Sequence, residues 1–157
     1  MVQVLFVCLG NICRSPMAEG VFRQLVTEAG LGNVVSADSA GTGPWHVGEP
    51  PDKRAQATAA RHGIHIGHQR ARQIAADDFT TFDYVLAMDC ENLKKLLLAA
   101  PRDHQDHVKL LLNFRTPDKG GDVPDPYYGG LGGFEDVFML VQDAARELLL
   151  HIQQNDI

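Results

Sequence analysis

Four consecutive apolar residues, Val4, Leu5, Phe6 and Val7, end abruptly on Cys8 close to the start of the chain. An apolar run without polar alternation reads as a strand covered on both faces, the environment of a parallel sheet flanked by helices. A short loop carrying Gly10 and Arg14 follows. Ser15 and Pro16 then read as a helix start, a cap oxygen followed by proline at the first helical position. Strand, tight loop and helix N-terminus make an anion site, because free backbone N–H groups and the helix dipole converge on the loop's centre. An anion held there meets the guanidinium of Arg14 for bidentate pairing and the Cys8 thiol, whose pKa the same field lowers. That arrangement aims a nucleophile at a phosphate. The Gly-Lys-Ser/Thr that a nucleotide-holding loop requires is absent, so the phosphate is one to be attacked.

The rest of the chain alternates in the same way. Pro16 to Ala29 carries apolar residues at helical spacing and ends at Gly30. Val34 to Ala40 reads as a second strand, closed by a turn at 41–44. Pro51 and Asp52 open a helix to Arg61, and a short turn covers Ala76 to Thr81. Tyr84 to Met88 is a third buried strand, after which Asp89 caps a helix stopped at Pro101. Val108 to Phe114 reads as a fourth strand, and Thr116 to Gly133 as a long loop rich in Gly, Pro and Asp. Its GGLGG end, Gly129 to Gly133, reads as a flexible hinge, and Phe134 to Gln153 as an amphipathic closing helix. The expected fold is therefore α/β: one doubly wound domain over residues 1–157, a four-stranded parallel sheet with helices on both faces. Ligands in such sheets bind at the carboxyl ends of the strands, where Cys8, Ser39 and Asp89 fall.

Composition narrows the function classes. With 157 residues, 45% hydrophobic and 22% charged, the chain is expected to be an ordinary globular domain. No apolar stretch approaches the roughly 20 residues of a membrane span, and no charged leader with a cleavage site opens the sequence. Three cysteines do not suggest a disulfide framework and suit a reducing cytoplasm. A net charge of −6 argues against nonspecific nucleic-acid binding.

The string Cys8-x5-Arg14-Ser15 resembles the phosphate loop of the low-molecular-weight protein tyrosine phosphatases. The resemblance continues through Ser39-Ala-Gly-Thr42 and Ala87-Met-Asp89 to Asp125-Pro-Tyr-Tyr-Gly129, and so covers essentially the whole chain. It implies strand order 2-1-3-4 and hydrolysis of protein phosphotyrosine. Cys8 would be the nucleophile, Arg14 with the loop residues Leu9, Gly10, Asn11, Ile12 and Cys13 would bind phosphate, and Ser15 would stabilise the thiolate. Asp125 read locally is a turn aspartate between prolines; the resemblance makes it the general acid that protonates a phenolate leaving group and then activates water. No metal or other cofactor enters that mechanism.

Asn11 is awkward in a tight loop unless its backbone is left-handed, which asparagine tolerates. The resemblance implies that hydrogen bonds to Ser39 and His68 hold it there. Trp45 and Tyr127 are candidate walls for an aryl phosphate, with core filler the other reading of Trp45. Tyr128 reads either as a packing residue or as a site of regulatory phosphorylation. Cys13, by resemblance, forms a reversible disulfide with Cys8 that makes the enzyme redox-sensitive. Cys90 reads as a buried helix-start residue, and the spaced histidines 62, 65, 68, 104 and 107 as solvated rather than zinc ligands.

Three other functions compete. A thioredoxin-coupled arsenate reductase shares the loop but needs two further cysteines after the third strand, where only Cys90 lies. A protein-arginine phosphatase carries threonine at position 12, where this chain has Ile12. A phosphate-binding module without turnover would not need nucleophile, arginine and acid together. The expected partner is a phosphotyrosine-bearing protein, a tyrosine autokinase being the class that bacterial family members often act on, with the enzyme a monomer or weak dimer.

Overall fold

The computed structural model describes residues 1–115, 120–129 and 131–157. Strand β1, Val2–Cys8, lies at the centre of a four-stranded sheet in the order β2-β1-β3-β4, with β2 at Val35–Gly41, β3 at Tyr84–Ala87 and β4 at Val108–Leu110. All three pairings are parallel, and the register sets Cys8 beside Gly41 and Val7 beside Ala87. The carboxyl ends of β1, β2 and β3 therefore share one edge. Among the described residues five α-helices flank it: α1 at Arg14–Glu28, α2 at Lys53–Arg61, a short α3 at Asp78–Thr81, α4 at Cys90–Ala99 and α5 at Leu131–Asn155.

The apolar run 4–7 is buried because it has two cores to fill. Val4 and Phe6 join one cluster with Met17, Phe22, Phe138 and Val141, under α1 and α5. Leu5 and Val7 join the other with Phe79, Val85 and Leu96, under α3 and α4. Successive strand residues point to opposite faces, so an uninterrupted apolar run is what a doubly covered strand needs. The expected fold class and strand order both hold.

Four local expectations are corrected. Helix α1 begins at Arg14 with Cys13 as its boundary residue and no side-chain cap, so Ser15 is its second residue and Pro16 its third. Proline is tolerated there because the first turn's N–H groups have no intrahelical acceptor anyway. The strand expected over 108–114 ends at Leu110, and Leu111–Phe114 forms a 3-10 turn. It pairs only with β3, which itself ends at Ala87, and a short apolar run cannot by itself tell strand from helical turn. The turn at 76–81 contains the short helix α3. Finally, α5 starts at Leu131, inside GGLGG, so residues 131–133 belong to the helix and not to a hinge ahead of it; Gly130 lies outside the described residues, as do 116–119 of the long loop. Gly30 does terminate α1, with φ of 73° where a side chain would be strained. Among the described residues no helix is long and apolar enough to cross a membrane.

Candidate active site

The loop from Cys8 to Arg14 is shaped by Asn11, the one non-glycine among the described residues with positive φ, at 59°. Its backbone N–H donates to Cys8 Sγ at 3.3 Å, closing the loop around the sulfur. The loop is also gripped from outside. Gly41, at the end of β2, comes so close that a Cβ there would stand 2.9 Å from Leu9 O, and the N–H groups of Thr42 and Gly43 donate to the carbonyls of Cys8 and Leu9. Only glycine permits that approach.

Behind the loop runs a chain of hydrogen bonds whose direction is fixed. The Asn11 side-chain oxygen accepts from Arg72 N at 3.0 Å, so its amide nitrogen faces the other way. That nitrogen donates to Ser15 Oγ at 2.8 Å and to Ser39 Oγ at 3.0 Å. Ser39 Oγ in turn donates to the Glu19 carboxylate at 2.8 Å, and Arg23 donates to the other Glu19 oxygen. With Glu19 accepting at one end, Ser15 Oγ accepts a hydrogen bond from Asn11 and has its own proton to donate to Cys8 Sγ, 3.0 Å away. Ser15 is thus a donor to the sulfur, as one of its two expected roles had it, and not the helix cap of the other.

Glu19 is buried, and burial raises its pKa against the opposing pull of Ser39 and Arg23. Folding therefore disfavours its ionised form: its contribution to stability is fully present below the unfolded-state pKa and is lost as pH rises through the folded one. The expected result is that Glu19→Gln, an uncharged isostere, gains in unfolding free energy relative to wild type as pH is raised from about 4 to 7. Glu19→Ala leaves the Ser39 hydroxyl proton without its acceptor and is expected to cost about 1–3 kcal/mol near pH 4, a cost that shrinks as pH rises because alanine, like glutamine, does not titrate. Urea unfolding across that pH range checks both.

His68 is not part of this network. It is exposed, makes no hydrogen bond among the described residues, and faces a surface depression beside Gln56 and Ala60. Its neighbour Gln69 points inward instead and donates to Pro16 O at 3.1 Å. The segment has no repeat from which to read which of two adjacent residues faces the core.

Arg14 is buried and spans the site. One guanidinium nitrogen donates to Asp89 at 2.6 Å and to Val123 O at 3.0 Å; another lies 3.6 Å from Asp125. Burial works against its charge, but Cys8, Asp89 and Asp125 outweigh that, and it stays cationic. Asp89 serves twice, since its second oxygen caps α4 by accepting from Asn92 N. Cys13 has its pKa raised strongly, first by burial and then by Asp52, Cys8 and Asp125, so it is held as a thiol. All three cysteines are free, and Cys90 is exposed, contrary to the buried position expected of it: it opens α4 on the solvent side, its N–H bound to Asp122.

Asp125 is pinned from both sides. Val123, fully buried, donates from its N–H to Met88 O at the end of β3 and accepts from Arg14. Asp125 itself accepts from Tyr127 N, so the turn reading and an inward-facing second oxygen coexist. These groups open on a cleft of about 340 Å³. Leu9, Gly10, Ile12 and Cys13 line its floor with Cys8 and Arg14; Trp45, Tyr127 and Tyr128 line its walls with His46 and Asp125. Trp45 is not core filler: it is 66% exposed and lies flat on Gly43, where any side chain would collide with the indole. Among the described residues no group of three or more potential ligands could hold a metal ion.

Residues 3–156 match the family model described as "Low molecular weight phosphotyrosine protein phosphatase". The chain belongs to this family. It is 46% identical over 154 residues to the "Low molecular weight protein-tyrosine-phosphatase YfkJ" of Bacillus subtilis, covering 98% of this chain and 97% of the relative. It is also 46% identical to the human "Low molecular weight phosphotyrosine protein phosphatase", covering 94% and 93%. Among solved structures, a protein tyrosine phosphatase from Entamoeba histolytica with Hepes in its active site superposes at a TM-score of 0.95, with 36% identity and complete coverage of both chains.

Within this phosphatase fold, several residues escaped sequence reasoning. Glu19, Arg72, Val123 and His46 act at the site through contacts distant in sequence, and nothing local marks them. Asp89 had a signal, its place after the third buried strand at the ligand-binding edge, but its bond to Arg14 had none. Arg54 was equally silent: bound to Asp52, it lies 5.4 Å from the Tyr127 ring centroid and 4.7 Å from that of Phe134, holding the wall in place.

Proposed function

We propose that this family member hydrolyses phosphotyrosine in proteins through a phosphocysteine intermediate on Cys8. The observation that carries this reading is convergence: nucleophile, guanidinium and carboxyl open on one cleft, with Arg14 3.6 Å from Asp125 and the Cys8 sulfur ringed by an amide and a hydroxyl. The phosphoryl group sits in the loop against the amides and the Arg14 fork, which stabilise charge developing on its equatorial oxygens. The Cys8 thiolate forms the S–P bond as the P–O bond to the phenol breaks, and Asp125 gives its proton to the departing oxygen. Asp125, now ionised, takes a proton from water, whose oxygen attacks phosphorus. The S–P bond breaks, the Ser15 hydroxyl stabilises the leaving thiolate, and inorganic phosphate departs. Arg14 and the amides supply the positive field throughout. Trp45 and Tyr127 flank the aryl ring, and Cys13, kept as a thiol beside Cys8, is the partner for a protective disulfide. A tyrosine autokinase is the partner class carried over from bacterial relatives.

The arsenate reductase alternative lacks its relay, since Cys90 has no second cysteine downstream. The test compares phosphotyrosine, phosphoserine and phosphoarginine peptides in a metal chelator. Turnover of phosphotyrosine at least about 100-fold above the other two is expected. A preference for phosphoarginine, or turnover that needs added metal, overturns the reading.

A further inference from the structure

On the rim of the cleft, the ring of His46 lies over the phosphate loop at Gly10, and its Nδ1 is bound to a carboxylate oxygen of Glu49. Glu49 is fixed by its backbone as well as by this contact. Its N–H donates to His46 O, its carbonyl accepts from Ala71 N, and Gly48 N donates to Ala71 O. The Glu49 side chain is 57% exposed, and its second oxygen has no protein partner among the described residues. Trp45 and Val47 stand exposed on the same segment, so the rim there is apolar and acidic. Two arginines of the cleft are engaged elsewhere: Arg54 is bound to Asp52 through two hydrogen bonds and lies on aromatic rings, and Arg14 is buried. The protein as a whole carries a net charge of −6.

We infer that Glu49, positioned by His46, selects phosphotyrosine segments that carry a lysine or arginine close to the phosphotyrosine. The inference rests on the phosphotyrosine reading above and names its substrate class. The phosphate enters the loop, and the chain on either side of the phosphotyrosine passes over the rim of the cleft, which His46 lines. A cation there meets the free oxygen of a preorganised carboxylate, whereas an acidic residue meets like charge.

The test uses three phosphotyrosine peptides that differ only in having lysine, glutamine or glutamate beside the phosphotyrosine. For each enzyme, kcat/KM on a peptide is divided by its own value on para-nitrophenyl phosphate. Wild type is expected to favour the lysine over the glutamate peptide by about five- to tenfold at low salt, as one exposed ion pair and one repulsion allow, with the ratio shrinking as salt is added. Glu49→Gln should bring the ratio near one, and Glu49→Lys should invert it. An unchanged ratio in Glu49→Gln, or a wild-type ratio near one, overturns the inference while leaving the phosphatase reading intact. Absence of turnover on every phosphotyrosine substrate would instead remove the reading it rests on.

Discussion

Replacing Cys8 by serine is expected to lower kcat/KM on a phosphotyrosine peptide by at least about 10⁴-fold while leaving the phosphate loop able to bind inorganic phosphate. The asymmetry follows from how the loop is built. Apart from the Asn11 N–H bond to the sulfur, which a serine oxygen can also accept, its shape depends on the positive φ of Asn11, on the approach of Gly41 and on bonds from Thr42 and Gly43 to main-chain carbonyls, none of which uses the sulfur. A serine hydroxyl has the volume to fit between the Asn11 N–H and Ser15. What it lacks is the nucleophilicity of sulfur, since an alcohol attacks phosphorus far less readily than a cysteine does. Phosphate protection against thermal unfolding should therefore persist in Cys8→Ser while steady-state turnover disappears. Loss of both would mean that the sulfur holds the loop together, and retained turnover would exclude it as the nucleophile.

Asp125→Asn is the second large effect. The asparagine can still accept from Tyr127 N, so the turn stays, but it has no proton to give to the leaving oxygen. The expected loss is about 10²–10⁴-fold on phosphotyrosine peptides, the range for removal of a general acid. The diagnostic is its dependence on the leaving group. Across a series of substituted phenyl phosphates the deficit should shrink as the phenol becomes more acidic, because a better leaving group needs less protonation. A uniform loss across the series would point instead to the 3.6 Å contact with Arg14 as the important role of Asp125.

The parts of this site that could be read from the sequence are those made by neighbours along the chain. Cys8, Arg14 and the helix that follows lie within one strand–loop–helix unit, and each has a local physical signal: the end of an apolar run, a basic residue in a short loop, a proline at a helix start. The left-handed Asn11 was legible for the same reason. What failed was anything decided by partners far away. The cap reading of Ser15 failed, although its role at the sulfur was expected, because the bond from Asn11 that aims it is visible only once the loop has closed. His68 was expected in place of an inward-facing neighbour because the segment has no period to fix its facing. Glu19 lies on α1 looking like any helical glutamate, and only the meeting of α1 with β2 gives it Ser39 to accept from. Val123 bonds across 109 positions to Arg14, and a buried valine carries no mark of that. The early end of β4 reflects the length of its neighbour, which is a property of the sheet.

The most direct test of the central claim is to look for the covalent intermediate. Wild-type enzyme mixed with excess aryl phosphate, quenched in acid within milliseconds and digested, should yield the peptide containing Cys8 with one added phosphoryl group, and Cys8→Ser treated identically should yield none. A phosphoryl group on another residue, or full turnover with no phosphorylated peptide at any quench time, would contradict nucleophilic catalysis by Cys8 and favour direct attack of water on a phosphate that the loop merely holds.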